Sequence, residues 1–212
     1  VLFSVILMSP SVVPARLFHS DCRRADAEVR QTRGVPNPPT TVIALLRGVN
    51  VGGHNKLPMA HLREIAADAG FAEVRTYIQS GNLVAATVLE PESAAKVLAA
   101  AIRDATGLTV PVIVRTAQQW SDLVAANPFP DALDPGRHVH VIVLPAPATD
   151  EARAFDAAAF APEEVVVSGS EVYLHLPDGM GRSKLAVAVN RVPEIAAGTA
   201  RNWNTVLKIA TL

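Results

Sequence analysis

The chain has 212 residues, 19 Lys+Arg against 20 Asp+Glu, and is half apolar and only 18% charged. A mean hydropathy of +0.25 excludes a wholly disordered protein, and a net charge of −1 argues against one that coats nucleic acid non-specifically. Cys22 is the single cysteine, so neither an internal disulfide nor a cysteine metal cage can form.

No apolar run reaches the ~18–20 residues of a membrane helix. The opening VLFSVILM breaks at Ser9-Pro10 and has no positive charge ahead of it, so it does not read as a secretory signal. Residues 9–39 carry Pro10, Pro14, Pro36, Pro38 and Pro39 without a hydrophobic period. Residues 1–39 are therefore expected to be a disordered or irregular extension, with the folded part starting near Thr40 and the cytoplasm as the default location.

Thr41–Leu46 (TVIALL) reads as a buried strand, and residues 47–56 as a glycine-bearing loop. A helix follows from Pro58, with Leu62, Ile65, Ala66 and Ala69 at helical spacing and Gly70 as its stop. Residues 73–78 alternate: Val74, Thr76 and Ile78 on one face, Arg75, Tyr77 and Gln79 on the other. A turn at 79–82, a strand at 83–88, a helix over 91–106 closed by Gly107, and a strand over 110–115 complete the unit. This β-α-β-β-α-β order over residues 40–115 predicts a ferredoxin-like plait whose sheet leaves one face uncovered.

A second unit over 116–212 repeats the pattern less regularly. Helices are expected at 117–126 and 149–159, a strand at 138–144, and a hairpin of 164–167 with 171–176. Two closing helices are expected at 182–190 and 199–209. The fold class is thus α+β, two ferredoxin-like plaits packed together behind the extension.

Three stretches gather glycine, amide and cationic side chains. In the first, Arg47 to Lys56, the spacing Gly48 to Gly53 matches half a phosphate loop, but His54-Asn55 stands where Lys-Ser or Lys-Thr is needed. What is left is a looser anion-binding loop or a tight turn. In the second, Arg75 to Asn82, a cation and Tyr77 fall on the open sheet face. The central strands VIALL and LVAA lack the aromatics that stack RNA bases, so nucleic-acid binding is weakly supported. Tyr77 packing against the second unit explains it as well. In the third, Arg182, Ser183 and Lys184 open a predicted helix, and Arg201, Asn204, Thr205 and Lys208 share one predicted helix face opposite Ala200, Trp203, Val206, Leu207 and Ala210. His138 and His140 share a strand face without an obvious third ligand, so no metal is expected. Asp131, Asp134, Glu163 and Glu164 read as solvated turn charges.

ALLRGVNVGGHNKLPMAHLREIAADAGFAEVRTYIQSGNLV (residues 44–84) resembles the opening of a bacterial family known only as domain of unknown function 1697. LPDGMGRSKL (176–185) and TARNWNTVLKI (199–209) resemble its closing motifs. The resemblance implies paired α/β plaits and carries no activity, cofactor or catalytic residue. Residues 1–39 depart from the family pattern, which opens at the first strand.

The expected function is binding of an anionic, phosphate-bearing or nucleotide-like ligand between the lobes. The expected contacts are Arg47, Asn50, Gly52, Gly53, Lys56, Arg75, Tyr77, Gln79, Ser80, Asn82, Arg182, Ser183, Lys184, Arg201, Asn202 and Asn204, with Asn55 a further amide. Two alternatives stand beside it. One is an enzyme using His54, Tyr77, Lys56 or Lys184 as acid or base. The other is a purely structural role in which the polar motifs lock the lobes together.

Overall fold

The computed structural model describes residues 38–212 apart from Leu133. Residues 1–37, most of the expected irregular extension, and Cys22 with them, lie outside the described residues.

The first sheet is built from β1 (Thr40–Leu46), β2 (Ala72–Tyr77), β3 (Asn82–Thr87) and β4 (Val112–Thr116), in the order β2-β3-β1-β4. Every pairing is antiparallel. Helix α1 (Met59–Asp68) connects β1 to β2, and α2 (Pro91–Thr106) connects β3 to β4. Pro91 starts α2 where its missing N–H costs nothing, and Gly107 ends it at φ +73°, a left-handed turn open to glycine. A bulge at Glu73 (φ +52°) shifts the register of β2.

The second sheet contains β5 (Val139–Val143), β6 (Glu164–Ser168), β7 (Glu171–His175) and β8 (Thr199–Asn202), again antiparallel, in the order β6-β7-β5-β8. Helix α3 (Ala117–Ala125) follows β4, and α4 (Pro135–His138) precedes β5. The short helices α5 (Asp150–Arg153), α6 (Lys184–Val189) and α7 (Pro193–Ala196) lie between strands, with 3-10 turns at Ala158–Phe160 and Met180–Arg182. Helix α8 (Trp203–Ile209) follows β8.

Strand alternation divides the core into three parts. Val42, Ala44 and Leu46 face α1 and α2, while Ile43 and Leu45 face the other way. That second face is not open. It shares a core with Val139, Val141, Val143 and Tyr173 of the second sheet and with Trp120, Trp203, Val206 and Ile209 from the helices that follow β4 and β8. Each large side chain buried here contributes about 1.5–3 kcal/mol. The third part, around Ile142, Leu174, Leu185 and Val189, lies on the far side of the second sheet.

Two expected helices differ. The one at 149–159 contracts to Asp150–Arg153, and 199–202 is a strand ahead of a shorter final helix. Residues 199–202 alternate buried and exposed, which is strand periodicity. The expected face of Arg201, Asn204, Thr205 and Lys208 therefore does not exist. Arg201 and Thr205 are buried, whereas Leu207, expected inside, is exposed.

Candidate functional site

The glycine loop folds on itself. Gly52 and Gly53, both with positive φ, make a two-residue turn, and the His54 N–H donates to Val51 O at 3.0 Å. The amide of Asn50 closes the base. Its Nδ2 donates to Leu57 O (2.9 Å) and to Gln79 O (2.8 Å), and its Oδ1 accepts from Leu57 N–H (2.8 Å). Asn55 Nδ2 donates to Gly48 O at 3.0 Å. These amides hold the loop to itself and to the β2–β3 turn. Arg47, His54 and Lys56 remain exposed. Lys56 lines a groove of about 550 Å³ with Gln79 and Arg63, and Arg63 Nη1 already donates to Thr76 Oγ1 (2.8 Å).

The β2–β3 turn leaves Ile78 and Gln79 exposed but ends in a buried seam at Gly81 and Asn82. Gly81 (φ +75°) lies so close to Leu46 and Val49 that a Cβ would sit 2.6 Å from each. Asn82 is fully buried, and its Nδ2 donates to Tyr77 O and to Ser80 Oγ, each at 3.0 Å. Its Oδ1 accepts from Arg201 Nε. Arg201, only 7% exposed, gives its remaining N–H groups to Thr199 Oγ1, Ala200 O, Leu46 O and the carbonyls of Ser80 and Gly81. A guanidinium has five donors, and protein acceptors take all of them. Burial lowers its pKa to about 10, so it stays charged at neutral pH. It meets no carboxylate among the described residues.

The other expected contacts fall into three groups. Tyr77 packs on the core between the sheets, and Arg75 is exposed on the same strand. Ser183 and Asn202 are helix caps: their side chains accept from Ala186 N–H and Thr205 N–H, both at 2.8 Å. The Asn204 amide lies against Gly136, so any side chain at that glycine would have to displace it.

Arg182 and Lys184 are different. With Arg191 they line a concavity of about 420 Å³ whose wall includes Phe160 and Val187. All three cations are exposed, and none has an ion pair or hydrogen bond among the described residues. No carboxylate lines the concavity. The first N–H groups of α6 are occupied, Leu185 N by Glu163 Oε2 (2.8 Å) and Ala186 N by Ser183, so only side chains face a ligand. Glu163 is thus a helix-capping group rather than a solvated charge, and Glu164 pairs with His175 at 3.1 Å. This concavity shares no lining residue with the groove that holds Asn50, Lys56 and Gln79.

Arg191 was missed in the sequence; it lies in the turn just past Asn190, the residue that caps α6. Among the described residues no three His, Cys, Asp or Glu side chains gather. His140 lies partly buried on β5, its Nδ1 buried without a partner, and burial lowers its pKa. Burial also raises that of Tyr173, whose hydroxyl donates to Leu123 O at 2.9 Å.

These features define an α+β protein of two four-stranded antiparallel sheets with helices, carrying a basic concavity and an internal arginine seam. The family described as "Protein of unknown function (DUF1697)" matches residues 40–173, and the chain belongs to that family. Its fold is similar to that of the conserved bacterial protein SP0830 from Streptococcus pneumoniae, at a TM-score of 0.67 and 19% identity, covering 82% of this chain and 98% of that one. No curated protein matches the chain. No helix among the described residues is long and apolar enough to cross a membrane.

Proposed function

We propose that this chain binds an anionic, phosphate-bearing ligand through Arg182, Lys184 and Arg191. The observation that supports the reading is the gathering of three unpaired cations around one concavity with no carboxylate in its wall. The second half of the chain is the more acidic one, so this concentration of positive charge runs against its surroundings. Cations held together without counter-charge repel one another, and an anion relieves that cost while accepting charge-assisted hydrogen bonds. Phe160 at the edge offers an apolar face for a planar group such as a nucleobase.

The site belongs to the second half rather than to a cleft between lobes, because Arg201 and Asn82 are engaged with each other. In the same reading the two units, 40–115 and 116–212, are ferredoxin-like plaits of a bacterial cytoplasmic protein. The repeated strand order supports the plait assignment.

Titration with inorganic pyrophosphate, followed by melting temperature and calorimetry, tests the proposal. A saturable rise is expected, lost in Arg182→Ala/Arg191→Ala and kept in Lys56→Ala. A flat response, or one that survives loss of both arginines, contradicts it.

A further inference from the structure

The two sheets share more than strand order. Arg115 on β4 lies opposite Ile43 of β1, and Arg201 on β8 lies opposite Val141 of β5. Each arginine immediately precedes the cap of the next helix: Thr116, which accepts from Gln119 N–H, and Asn202, which accepts from Thr205 N–H. Three residues beyond Ile43 and Val141 come Leu46 and Leu144. Their N–H groups make matching bonds of 2.8 Å to Gly81 O and Ser170 O, in the turns that open β3 and β7. The residues after those turns are Asn82 and Glu171, opposite Leu45 and Val143.

The arginines cross between these equivalent places. Arg201 Nη2 donates to Leu46 O (3.0 Å), and its Nε donates to Asn82 Oδ1. Arg115 Nη2 donates to Leu144 O (2.7 Å), and its Nε and Nη2 donate to Glu171 Oε1 (3.4 and 3.3 Å). Each half therefore grips the end of the other's first strand and the start of its third. Contact of i with j′ and of i′ with j is the mark of an isologous, two-fold interface.

We infer that the second half is a structural repeat of the first about an approximate two-fold, and that one equivalent arginine from each, Arg115 and Arg201, reaches across to latch the other, making the chain a fused pseudo-dimer. The closing motif TARNWNTVLKI thereby acquires a role: it carries one latch and the helix cap behind it. The two latches differ chemically. Arg115 meets a carboxylate with both side chains mostly buried, at 12% and 19% exposure, whereas Arg201 meets only neutral oxygens. The inference is independent of the ligand reading, since neither Arg115 nor Arg201 lines the basic concavity.

The amide protons of Leu46 and Leu144 are direct probes, because each lies in the half opposite its latch. Hydrogen exchange on the full chain should be compared for wild type, Arg115→Met and Arg201→Met. In Arg201→Met the Leu46 amide should exchange at least ~10-fold faster, beyond any change common to the whole chain, while Leu144 follows only the common change; Arg115→Met should do the reverse. If Arg201→Met does not fold, Arg201→Lys replaces it with the same expectation for Leu46. Acceleration confined to the half that carries the substitution, or equal at both leucines in both variants, overturns the inference.

Discussion

Arg201 and the trio Arg182, Lys184 and Arg191 come from one stretch of sequence, yet they occupy opposite physical situations. Arg201 is buried and every N–H it has is taken by protein oxygen. The trio is exposed and no protein acceptor meets it among the described residues. A cation with its donors filled contributes to stability and has nothing left for a ligand. A cation with its donors free contributes little to stability and can bind. Residue type and glycine-rich company do not separate the two cases; the count of occupied donors does.

Several substitutions break or sharpen that contrast. The largest effect is expected for Arg201→Met, which strands Asn82 Oδ1 and the Leu46 carbonyl in a buried seam. Each unsatisfied group costs about 1–3 kcal/mol, so urea denaturation should show a loss of at least about 3 kcal/mol. Next comes Arg182→Ala/Arg191→Ala. Loss of two charge-assisted contacts should weaken pyrophosphate binding about 100-fold or more by calorimetry, while unfolding stability shifts by no more than about 0.5 kcal/mol.

Tyr173→Phe removes one buried bond within the second half, from its hydroxyl to Leu123 O on α3, and should cost about 1 kcal/mol in the same denaturation. The smallest effect concerns pH. Burial lowers the pKa of His140 from its usual 6.5, so the unfolded chain takes up a proton more readily than the folded one. This contribution to stability is present above pH 6.5 and declines as pH falls from there toward the lowered folded value. His140→Gln should flatten the stability profile on the acid side of 6.5; an unchanged slope would show that His140 does not set it.

The β-branched runs and glycine stops made the first half legible. VIALL (42–46) is buried on both faces, and the helix from Pro91 ends at Thr106, where Gly107 predicts. The second half was harder because its helices are short. Helix α6 keeps six residues of the helix expected at 182–190, and α7, four residues long, falls where none was expected because it has too few turns for a clear period. Strand β8 was hidden for a physical reason. Its sequence TARN has none of the usual strand residues apart from Thr199, and its inward position is held by a buried arginine. Reading 199–209 as one helix put Arg201 on a solvent face, which is why it looked available to a ligand. Asn50, Ser183 and Asn202 looked like ligand contacts because side chains that close loops and cap helices carry the same groups as side chains that bind anions.

The most direct measurement is a pyrophosphate titration read by melting temperature on three proteins side by side: wild type, Arg182→Ala/Arg191→Ala, and Arg201→Lys. Arg201→Lys should melt lower than wild type without ligand and still gain the full pyrophosphate-induced rise, while the double variant should melt like wild type and gain none. If the double variant keeps the rise, or Arg201→Lys loses it at unchanged ligand-free stability, binding and latching have been assigned to the wrong arginines.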